Sequence, residues 1–173
     1  MKFRIDQAVH APERDEMNDL LRDYYTAMVD RLVADGGPQV PIAVGIQDFW
    51  DHLNDVMPPH GRLYLARDAE GSLIGCGTLL TVRPGMGEMK RLFVRPAGRG
   101  TGLGRALVET RIAAARKMGL STLIADTLRK NVEMQQLYSL LGFERVDSNP
   151  KSSSLELVPE LEKFMLFYRL ALS

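Results

Sequence analysis

Several features that would indicate particular protein classes are scarce or missing. The 173 residues include one cysteine, Cys76, so an internal disulfide framework is excluded. Its flanking residues, LIGCGTLL, are typical of a buried strand, and we expect Cys76 to pack rather than to act as a nucleophile. The N-terminus has no signal-peptide pattern, and no apolar run approaches the roughly 18 residues of a membrane span. These absences favour a cytoplasmic protein without a membrane partner.

The formal net charge is also zero, because 22 basic residues balance 22 acidic ones. A neutral chain argues against nucleic acid as a partner. The two signs are nevertheless separated along the chain. Residues 1–60 hold eleven acidic and five basic side chains, whereas residues 83–130 hold eleven basic and three acidic ones. These charges form either solvated helix faces or two binding regions of opposite sign, and both interpretations remain open.

Hydrophobic periodicity predicts a single domain, residues 1–173, of mixed α/β (α+β) class. Its largely antiparallel sheet has about six to seven strands, flanked by about four helices. A long helix follows Pro12, and an apolar loop, Pro38–Gly45, precedes a short helix capped by Asp48. The predicted strands are residues 3–9, 62–67, 73–82, 88–95, 120–127, 143–146 and 164–170. Further helices are predicted to start near Thr101 and Asn131, and a polar connection, residues 148–154, joins the last two strands.

The stretch GRGTGLGRAL, residues 98–107, lies where a predicted strand turns into a helix. A helix N-terminus offers unpaired N–H groups and partial positive charge, and glycines let a phosphate approach the backbone. Neither G-x-G-x-x-G nor the nucleotide loop G-x-x-x-x-G-K-[ST] fits the spacing. The pattern that fits is Arg-x-x-Gly-x-Gly at Arg99, Gly102 and Gly104. A pyrophosphate site follows from this pattern, with a bare structural turn or an unrelated nucleotide site as alternatives.

This loop, within LFVRPAGRGTGLGRAL and followed by NVEMQQLYSLLGFERV, resembles the GNAT superfamily of N-acetyltransferases. The family's coenzyme A loop has the pattern [Q/R]-x-x-G-x-[G/A], and the resemblance covers roughly residues 60–147. It implies the GNAT acyltransferase fold and direct transfer of an acetyl group from acetyl-CoA to an amine, without a covalent enzyme intermediate. It further implies acceptor-side helices in residues 1–60, an acetyl-CoA-binding core in residues 61–147 and C-terminal strands in residues 148–173.

The resemblance implies that backbone groups bind most of the cofactor. The pyrophosphate is expected on the amides of the loop, and the pantetheine is expected to lie along the preceding strand like an additional strand. Asn131 is expected to cap its helix, and it either contacts coenzyme A as well or is only a cap. The expected cofactor-binding residues are Leu92, Phe93, Val94, Arg99, Gly100, Thr101, Gly102, Leu103, Gly104, Arg105, Asn131 and Tyr138.

The resemblance also implies catalytic roles. Tyr138 occupies the tyrosine of the family's L-Y-x-x-x-G-F motif and is expected to protonate the departing thiolate, although its place on the apolar stripe is equally typical of a core residue. The general base is either Glu88 or Asp126, or there is no dedicated base. Strand alternation puts Glu88 and Lys90 on one face, where the lysine could lower the basicity of the glutamate.

The acceptor site is expected to lie against the first two helices, with Tyr24, Tyr25 and Trp50 as candidate substrate-binding residues. An acidic wall there suits a cationic amine, and we expect a small-molecule or amino-acid-like primary amine. The alternatives are a non-catalytic acyl-CoA-binding sensor or interaction module, or a peptide or protein N-acetyltransferase.

No metal is expected, because the three histidines lack the spacing of metal ligands. The sequence leaves open whether the protein is a monomer or a homodimer.

Overall fold

The computed structural model describes residues 2–149 and 152–173, which form a central sheet with helices on both faces. The strands are β1 (Phe3–Gln7), β2 (Gly61–Asp68), β3 (Leu73–Arg83), β4 (Met86–Val94), β5 (Thr122–Leu128), β6 (Glu144–Val146) and β7 (Met165–Ala171). The α-helices are α1 (Arg14–Ala34), α2 (Ile42–Asp51), α3 (Leu103–Lys117), α4 (Val132–Leu140) and α5 (Ser153–Leu157). Among these described residues, none of the helices has the length and apolar character needed to cross a membrane.

The sheet has the strand order β1-β2-β3-β4-β5-β7-β6. All neighbouring strands are antiparallel except β4 and β5, which are parallel. Strands β2 to β4 form the predicted antiparallel meander. The crossover between the parallel strands contains α3, as a parallel connection requires. The predicted mixed, largely antiparallel sheet is therefore confirmed.

Strands β4 and β5 pair over only the first part of their length. Their pairing ends at Met89, which lies opposite Ala125. Beyond that point, Lys90, Phe93 and Val94 of β4 pair with β3 alone. A β-bulge marks the divergence, because the β3–β4 register shifts here and Arg91 has a φ of 51°. A wedge-shaped opening therefore separates the ends of β4 and β5.

Two apolar clusters hold the helices on opposite faces of the sheet. Leu107 of α3 and Met89 of β4 belong to one cluster, whereas Phe49 of α2 and Phe93 of β4 belong to the other. Residues four apart on a regular strand share a face, but Met89 and Phe93 do not. The bulge at Arg91 inserts an extra residue and reverses the alternation. It thereby sets which side chains of β4 face α1 and α2.

The start of α2 differs from the prediction. The segment Pro38–Gly45 was expected to be a loop, but the helix begins at Ile42, and Asp48 lies inside it rather than capping it. Gly45 is buried, and a Cβ there would lie 2.4 Å from the ring of Tyr25. The loop prediction was wrong over residues 42–45, because this glycine permits a close contact between helices rather than a turn.

The connection from β6 to β7 packs against the sheet. Pro150 and Lys151 lie outside the described residues, so the predicted polar connection is described only in part. From Ser152, which is fully buried, the chain forms α5 and then a 3₁₀ turn, Pro159–Phe164. Ser152 is therefore part of the interior, and Ser153 and Ser154 are half-buried rather than part of a solvated linker.

Candidate active site

The glycine-rich loop precedes α3 in a conformation that glycine permits. Gly100 and Gly102 have φ values of 74° and 86°, in the left-handed region, and Gly102 is the N-cap of α3. A Cβ at either position would meet nothing within 4 Å, so both glycines are required by the backbone and not by crowding. The Thr101 hydroxyl donates to the Gly98 carbonyl at 2.7 Å and closes the loop.

The loop presents a run of free donors. The backbone N–H groups of residues 100–105 donate to no acceptor within the described residues. Three of them belong to the first turn of α3, where the partial positive charge of the helix is greatest. Unpaired amides and open space in one place suit a phosphate group.

A cavity of about 360 Å³ lies between this loop, the end of β4 and the start of α4. Two of the expected cofactor-binding residues do not line this cavity. Tyr138 lines an adjoining cavity, and Thr101 makes the hydrogen bond that closes the loop. Asn131 lines the larger cavity, and its side chain also caps α4 by accepting a hydrogen bond from Met134 N at 3.4 Å. The other expected cofactor-binding residues that line it are Leu92, Phe93, Val94, Arg99, Gly100, Gly102, Leu103, Gly104 and Arg105.

The two arginines of the loop differ in how far their charge is balanced. Arg105 forms an exposed ion pair with Glu109 at 2.8 Å. Arg99 donates through Nε to the Val94 carbonyl at 3.1 Å and forms no ion pair with any described residue. Arg99 is therefore the loop side chain with charge left for a phosphate.

Tyr138 lies at the wedge between β4 and β5, in a cavity of about 50 Å³ that shares lining residues with the larger one. Its ring stacks against Phe143 and Tyr168, with centroids 5.0 and 4.9 Å away. Burial raises the pKa of its hydroxyl, and the positive charge of Arg111 offsets this only in part. The hydroxyl is therefore protonated at neutral pH and can act as a proton donor.

Glu88 of β4 is completely buried. Ser153 donates to its carboxylate through Oγ at 2.8 Å and through its backbone N–H at 3.2 Å. Burial raises the pKa of Glu88 to about 7, while the charge of Lys90 lowers it and that of Asp126 raises it. The predicted proximity of Lys90 holds, but burial outweighs its effect and leaves the glutamate more basic than usual.

Asp126 is the second carboxylate of this cluster. Ser152 donates to it through Oγ at 2.5 Å, and burial raises its pKa. Burial also lowers the pKa of the Lys90 ammonium, as does the neighbouring Arg91. Asp126, Lys90 and Tyr138 all line the small cavity at the wedge. The structure thus brings all three expected catalytic residues, Glu88 included, to one region.

A third cavity, of about 410 Å³, opens beside α2 and the strands β3 and β4. Lys90, Arg91 and Ser153 line its inner end, and the acidic residues Asp55 and Glu156 line it as exposed side chains. Because Lys90 and Arg91 line both this cavity and the one at Tyr138, the two adjoin. The three cavities therefore adjoin one another in a row, from the glycine loop, past Tyr138, to the cavity beside α2.

The three aromatic residues expected at the acceptor site are placed differently. Tyr24 and Tyr25 line an apolar groove of about 100 Å³ beside the third cavity. Trp50 lies elsewhere on α2. Its indole donates to Asn18 at 2.7 Å and packs under the guanidinium of Arg14, 4.1 Å from the ring centre. The structure therefore does not bring Trp50 to any of the cavities described above, and its neighbours give it a packing role.

Cys76 is fully buried and donates to the Arg91 carbonyl at 3.3 Å. Burial raises the pKa of the thiol to about 12, so it is not a thiolate at neutral pH. Both observations fit a packing role. Within residues 2–149 and 152–173, no group of three or more His, Cys, Asp or Glu side chains is arranged to bind a metal ion.

Sequence reasoning missed several residues of this site. Arg91 pairs with Asp48 at 2.6 Å and donates to the Tyr25 hydroxyl at 3.1 Å, joining α1 and α2 to the bulge. Neither contact has a local sequence signal, because the partners lie 43 and 66 residues apart. Ser152 and Ser153 were assigned to a polar connection, and the serine run alone does not indicate that it covers two carboxylates.

Comparisons with known proteins agree with this geometry. A model of the acetyltransferase (GNAT) family matches residues 15–143. An uncharacterized N-acetyltransferase of Schizosaccharomyces pombe is 41% identical over 91 residues, 52% of this chain and 56% of that protein. The match thus spans little more than half the length of that curated relative.

Solved structures extend the likeness to the whole fold. A GNAT-family acetyltransferase of Staphylococcus aureus superposes with a TM-score of 0.78 at 17% identity, covering 99% of this chain and 100% of that one. A Bacillus subtilis acetyltransferase in complex with CoA gives a TM-score of 0.65 at 22% identity, covering 99% and 100%. At these identities the likeness shows the fold, and it confirms the one expected from the sequence.

Proposed function

The chain belongs to the acetyltransferase (GNAT) family, and on that premise we propose that it transfers the acetyl group of acetyl-CoA to a primary amine. The proposed acceptor is a small molecule or an amino-acid-like compound. The observation that carries the proposal is the path of three adjoining cavities, from the glycine loop, past Tyr138, to the cavity proposed for the acceptor. Direct transfer needs such a path, because the thioester and the amine must meet.

The cofactor half of the proposal rests on backbone groups. The free amides of residues 100–105 would bind the pyrophosphate, with Arg99 balancing its charge. Residues 92–94 of β4 have no β5 partner and line the same cavity, so the pantetheine could lie along this edge. The CoA in the related Bacillus subtilis structure supports a coenzyme A ligand here.

The acceptor half rests on the third cavity. Its volume of about 410 Å³ lies in the range of small-molecule sites. Exposed Asp55 and Glu156 attract a cationic amine to it. Glu88 is buried beneath Ser153, so it can take a proton from an amine in this cavity only through that serine or through a water molecule.

The proposed reaction therefore uses Ser153 as a relay. The cationic amine first loses one proton to solvent, because only its neutral form has a lone pair for attack. A second amine proton then passes to Ser153 Oγ as the Ser153 proton passes to Glu88, and the amine nitrogen bonds to the thioester carbon. The carbon–sulfur bond then breaks, and the thiolate takes the proton of the Tyr138 hydroxyl. Asp126 and Lys90 set the charge around this path. Protons leave Glu88 and return to Tyr138 through solvent after the acetylated product departs.

The first test is the thermal shift of the purified protein with acetyl-CoA, ATP and NAD in parallel. We expect stabilisation by acetyl-CoA and not by ATP or NAD, and we expect Gly102→Glu to abolish it. Gly119→Glu is a matched control, because Gly119 follows the other end of α3 with a φ of 73° and equally open space. That variant carries the same backbone strain without a phosphate site, and its acetyl-CoA shift should persist.

Turnover distinguishes the proposal from a non-catalytic acyl-CoA-binding module. Thiol release is measured with a panel of small amines, amino acids and peptides. Release with small amines or amino acids supports the proposed function, whereas release with peptides alone indicates a peptide N-acetyltransferase. Tight acetyl-CoA binding without any amine-dependent release contradicts catalysis, and an equal acetyl-CoA shift in Gly102→Glu contradicts the phosphate loop.

A further inference from the structure

Arg111 of α3 is a charged residue in the core that the proposed reaction does not use. Its side chain is 0% exposed, and its charge lies among the aromatic and thiol groups of residues 64, 76 and 138. It forms no ion pair with any residue of the described chain, and one guanidinium nitrogen, NH2, has no hydrogen-bond partner there. Burying a guanidinium without a carboxylate is costly, so the residue needs an explanation.

The three hydrogen bonds that Arg111 makes all end on backbone carbonyls. Nε donates to Leu107 O at 3.1 Å, one turn earlier in α3. NH1 donates to both Thr78 O at 3.2 Å and Lys90 O at 3.1 Å. These two carbonyls belong to paired residues of β3 and β4, directly before the register shift of the bulge. The guanidinium therefore occupies the place where the regular ladder is interrupted.

The Lys90 carbonyl receives a second donor, the Thr78 hydroxyl, at 3.1 Å. In a regular antiparallel pair the strands satisfy such carbonyls themselves. At a bulge the ladder is locally disrupted, and another donor must replace it. Arg111 and Thr78 together supply that replacement, immediately before Arg91 adopts its left-handed conformation.

Gly77 completes the arrangement from the β3 side. A Cβ on Gly77 would lie 2.9 Å from Arg111 Nε and 3.0 Å from Cζ. The glycine is thus needed for the guanidinium to reach the sheet, although its own conformation is not left-handed. An arginine on α3 and a glycine on β3 are therefore matched across the core at the bulge.

The bulge in turn determines the cofactor side of β4. Residues 92–94 follow it directly, diverge from β5 and line the cavity at the glycine loop. We propose that Arg111 is a positioning residue, and this proposal rests on the proposed function. The guanidinium of Arg111 fixes the β4 bulge and thereby holds residues 92–94 where acyl-CoA binds. Without the guanidinium, the carbonyls of Thr78 and Lys90 lose a donor. Strands β3 and β4 can then return to regular pairing, which turns residues 92–94 away from the ligand.

The test measures the affinity of CoA by isothermal titration, which needs no acceptor. Arg111→Met keeps the length and apolar part of the side chain but removes every donor, and we expect Kd for CoA to rise about tenfold. Arg111→Lys retains one donor and should recover part of the affinity. Arg116→Met, at an exposed position on the same helix, should leave Kd unchanged. Ile112→Ala destabilises the same core and should leave the Kd of the folded protein unchanged as well.

Gly77→Ala gives a second route if Arg111→Met does not fold, because it displaces the guanidinium and keeps its charge. Weaker CoA binding in either variant, with normal binding in Ile112→Ala, supports the positioning role. Unchanged Kd in folded Arg111→Met, or in Gly77→Ala where that variant alone folds, overturns it. Equal weakening in Ile112→Ala also overturns it, because the effect is then general core damage. Absence of CoA binding in the unchanged protein is a different result, which contradicts the proposed function.

Discussion

At the residue scale, the raised pKa of Glu88 lowers the stability of the fold near neutral pH but favours activity there. Burial raises its pKa from an ordinary value of 4.5 to about 7. The folded state therefore binds a proton that the unfolded state has lost between these pH values, so stability falls as pH rises from 4.5 towards about 7 and levels off above it. The same shift makes Glu88 a suitable base near neutral pH, because its carboxylate form then holds a proton more strongly.

Glu88→Gln is expected to separate these two effects. It should flatten the pH dependence of the free energy of unfolding, because glutamine does not ionise, and lower kcat about a hundredfold. In the unchanged enzyme kcat/KM should rise with pH around 7, and this rise should be missing in the variant. Urea unfolding and steady-state rates across this pH range check both effects. Glu70→Gln, in an exposed turn, is the control, and full activity in Glu88→Gln would exclude Glu88 as the base.

Tyr138→Phe tests the general acid. The substitution retains the ring that stacks on Phe143 and Tyr168, so folding should be preserved. Loss of the hydroxyl should lower kcat at least tenfold, with Kd for CoA unchanged, because the thiolate leaves without a proton donor. Tyr168→Phe removes a hydroxyl from the same aromatic cluster without a place in the reaction, and its kcat should be unchanged. Similar kcat values in both variants would make Tyr138 a packing residue.

How far a residue could be identified from the sequence depended on whether its role is local. Arg99, Gly102 and Gly104 could be predicted, because the loop depends on φ angles and amides within a few consecutive residues. Arg91 and Arg111 could not, because the partners that give them their positions lie on other elements and no spacing marks them. In the sequence, a buried arginine cannot be told apart from the exposed basic residues of the same helix. Its burial becomes evident only when the packing of the helix against the sheet is known.

At the element scale, the start of α5 acts as a cover over the two carboxylates. Its serines donate to Glu88 and to Asp126, and the hydrogen bonds of Ser153 lower the pKa of Glu88 against the effect of burial. This short helix therefore sets both the access to the base and its basicity.

Ser153→Ala is expected to move the pH dependence of the reaction. Loss of the 2.8 Å hydrogen bond should raise the pKa of Glu88 further, and the rise in kcat/KM should shift about one unit to higher pH. Loss of the relay should also lower kcat, and Ser153→Thr should restore both values because it keeps the hydroxyl. Ser148→Ala, at an exposed position before α5, is the control. An unchanged kcat in Ser153→Ala would contradict the relay, and an unchanged pH profile would contradict the effect of the hydrogen bond on Glu88.

The elements themselves were largely predictable from the sequence, and the exceptions have a physical cause. Strands β2 to β4 are apolar runs bounded by turn sequences, and α3 and α4 are each followed by a glycine. The start of α2 was missed because Gly45 serves a helix contact rather than a turn. Helix α5 was missed because five residues, among them two serines, carry too little periodicity to indicate a helix.

At the scale of the whole molecule, the separation of charge along the chain has a structural role. Acidic residues of the N-terminal half pair with basic residues of the central region, as Asp48 does with Arg91 and Asp23 with Arg95. These ion pairs fasten α1 and α2 to the sheet. The acidic wall expected at the acceptor site is therefore partly neutralised, which sequence counts of charge do not reveal. Exposed acids such as Asp55, which form no ion pair with any described residue, remain available to attract the amine of the proposed function.

The ion pairs should differ in strength according to their burial. Arg91 and Asp48 are 4% and 12% exposed, so Asp48→Asn leaves a buried guanidinium short of its counter-charge. We expect a loss of about 3 kcal/mol in the free energy of unfolding, measured in urea. Arg95 and Asp23 are 27% and 52% exposed, and the loss in Asp23→Asn should stay below about 1 kcal/mol because solvent screens the pair.

The same two variants test which cavity the Asp48 pair supports. Because Asp48 lies on α2 and lines the acceptor cavity, its substitution should raise KM for the amine more than KM for acetyl-CoA. Asp23→Asn should leave both constants unchanged, since it lines neither cavity. A rise in KM for acetyl-CoA alone would instead mean that Asp48 acts through the bulge at Arg91. The two substrates would then be coupled by the strand that separates their sites, and not held by independent halves of the fold.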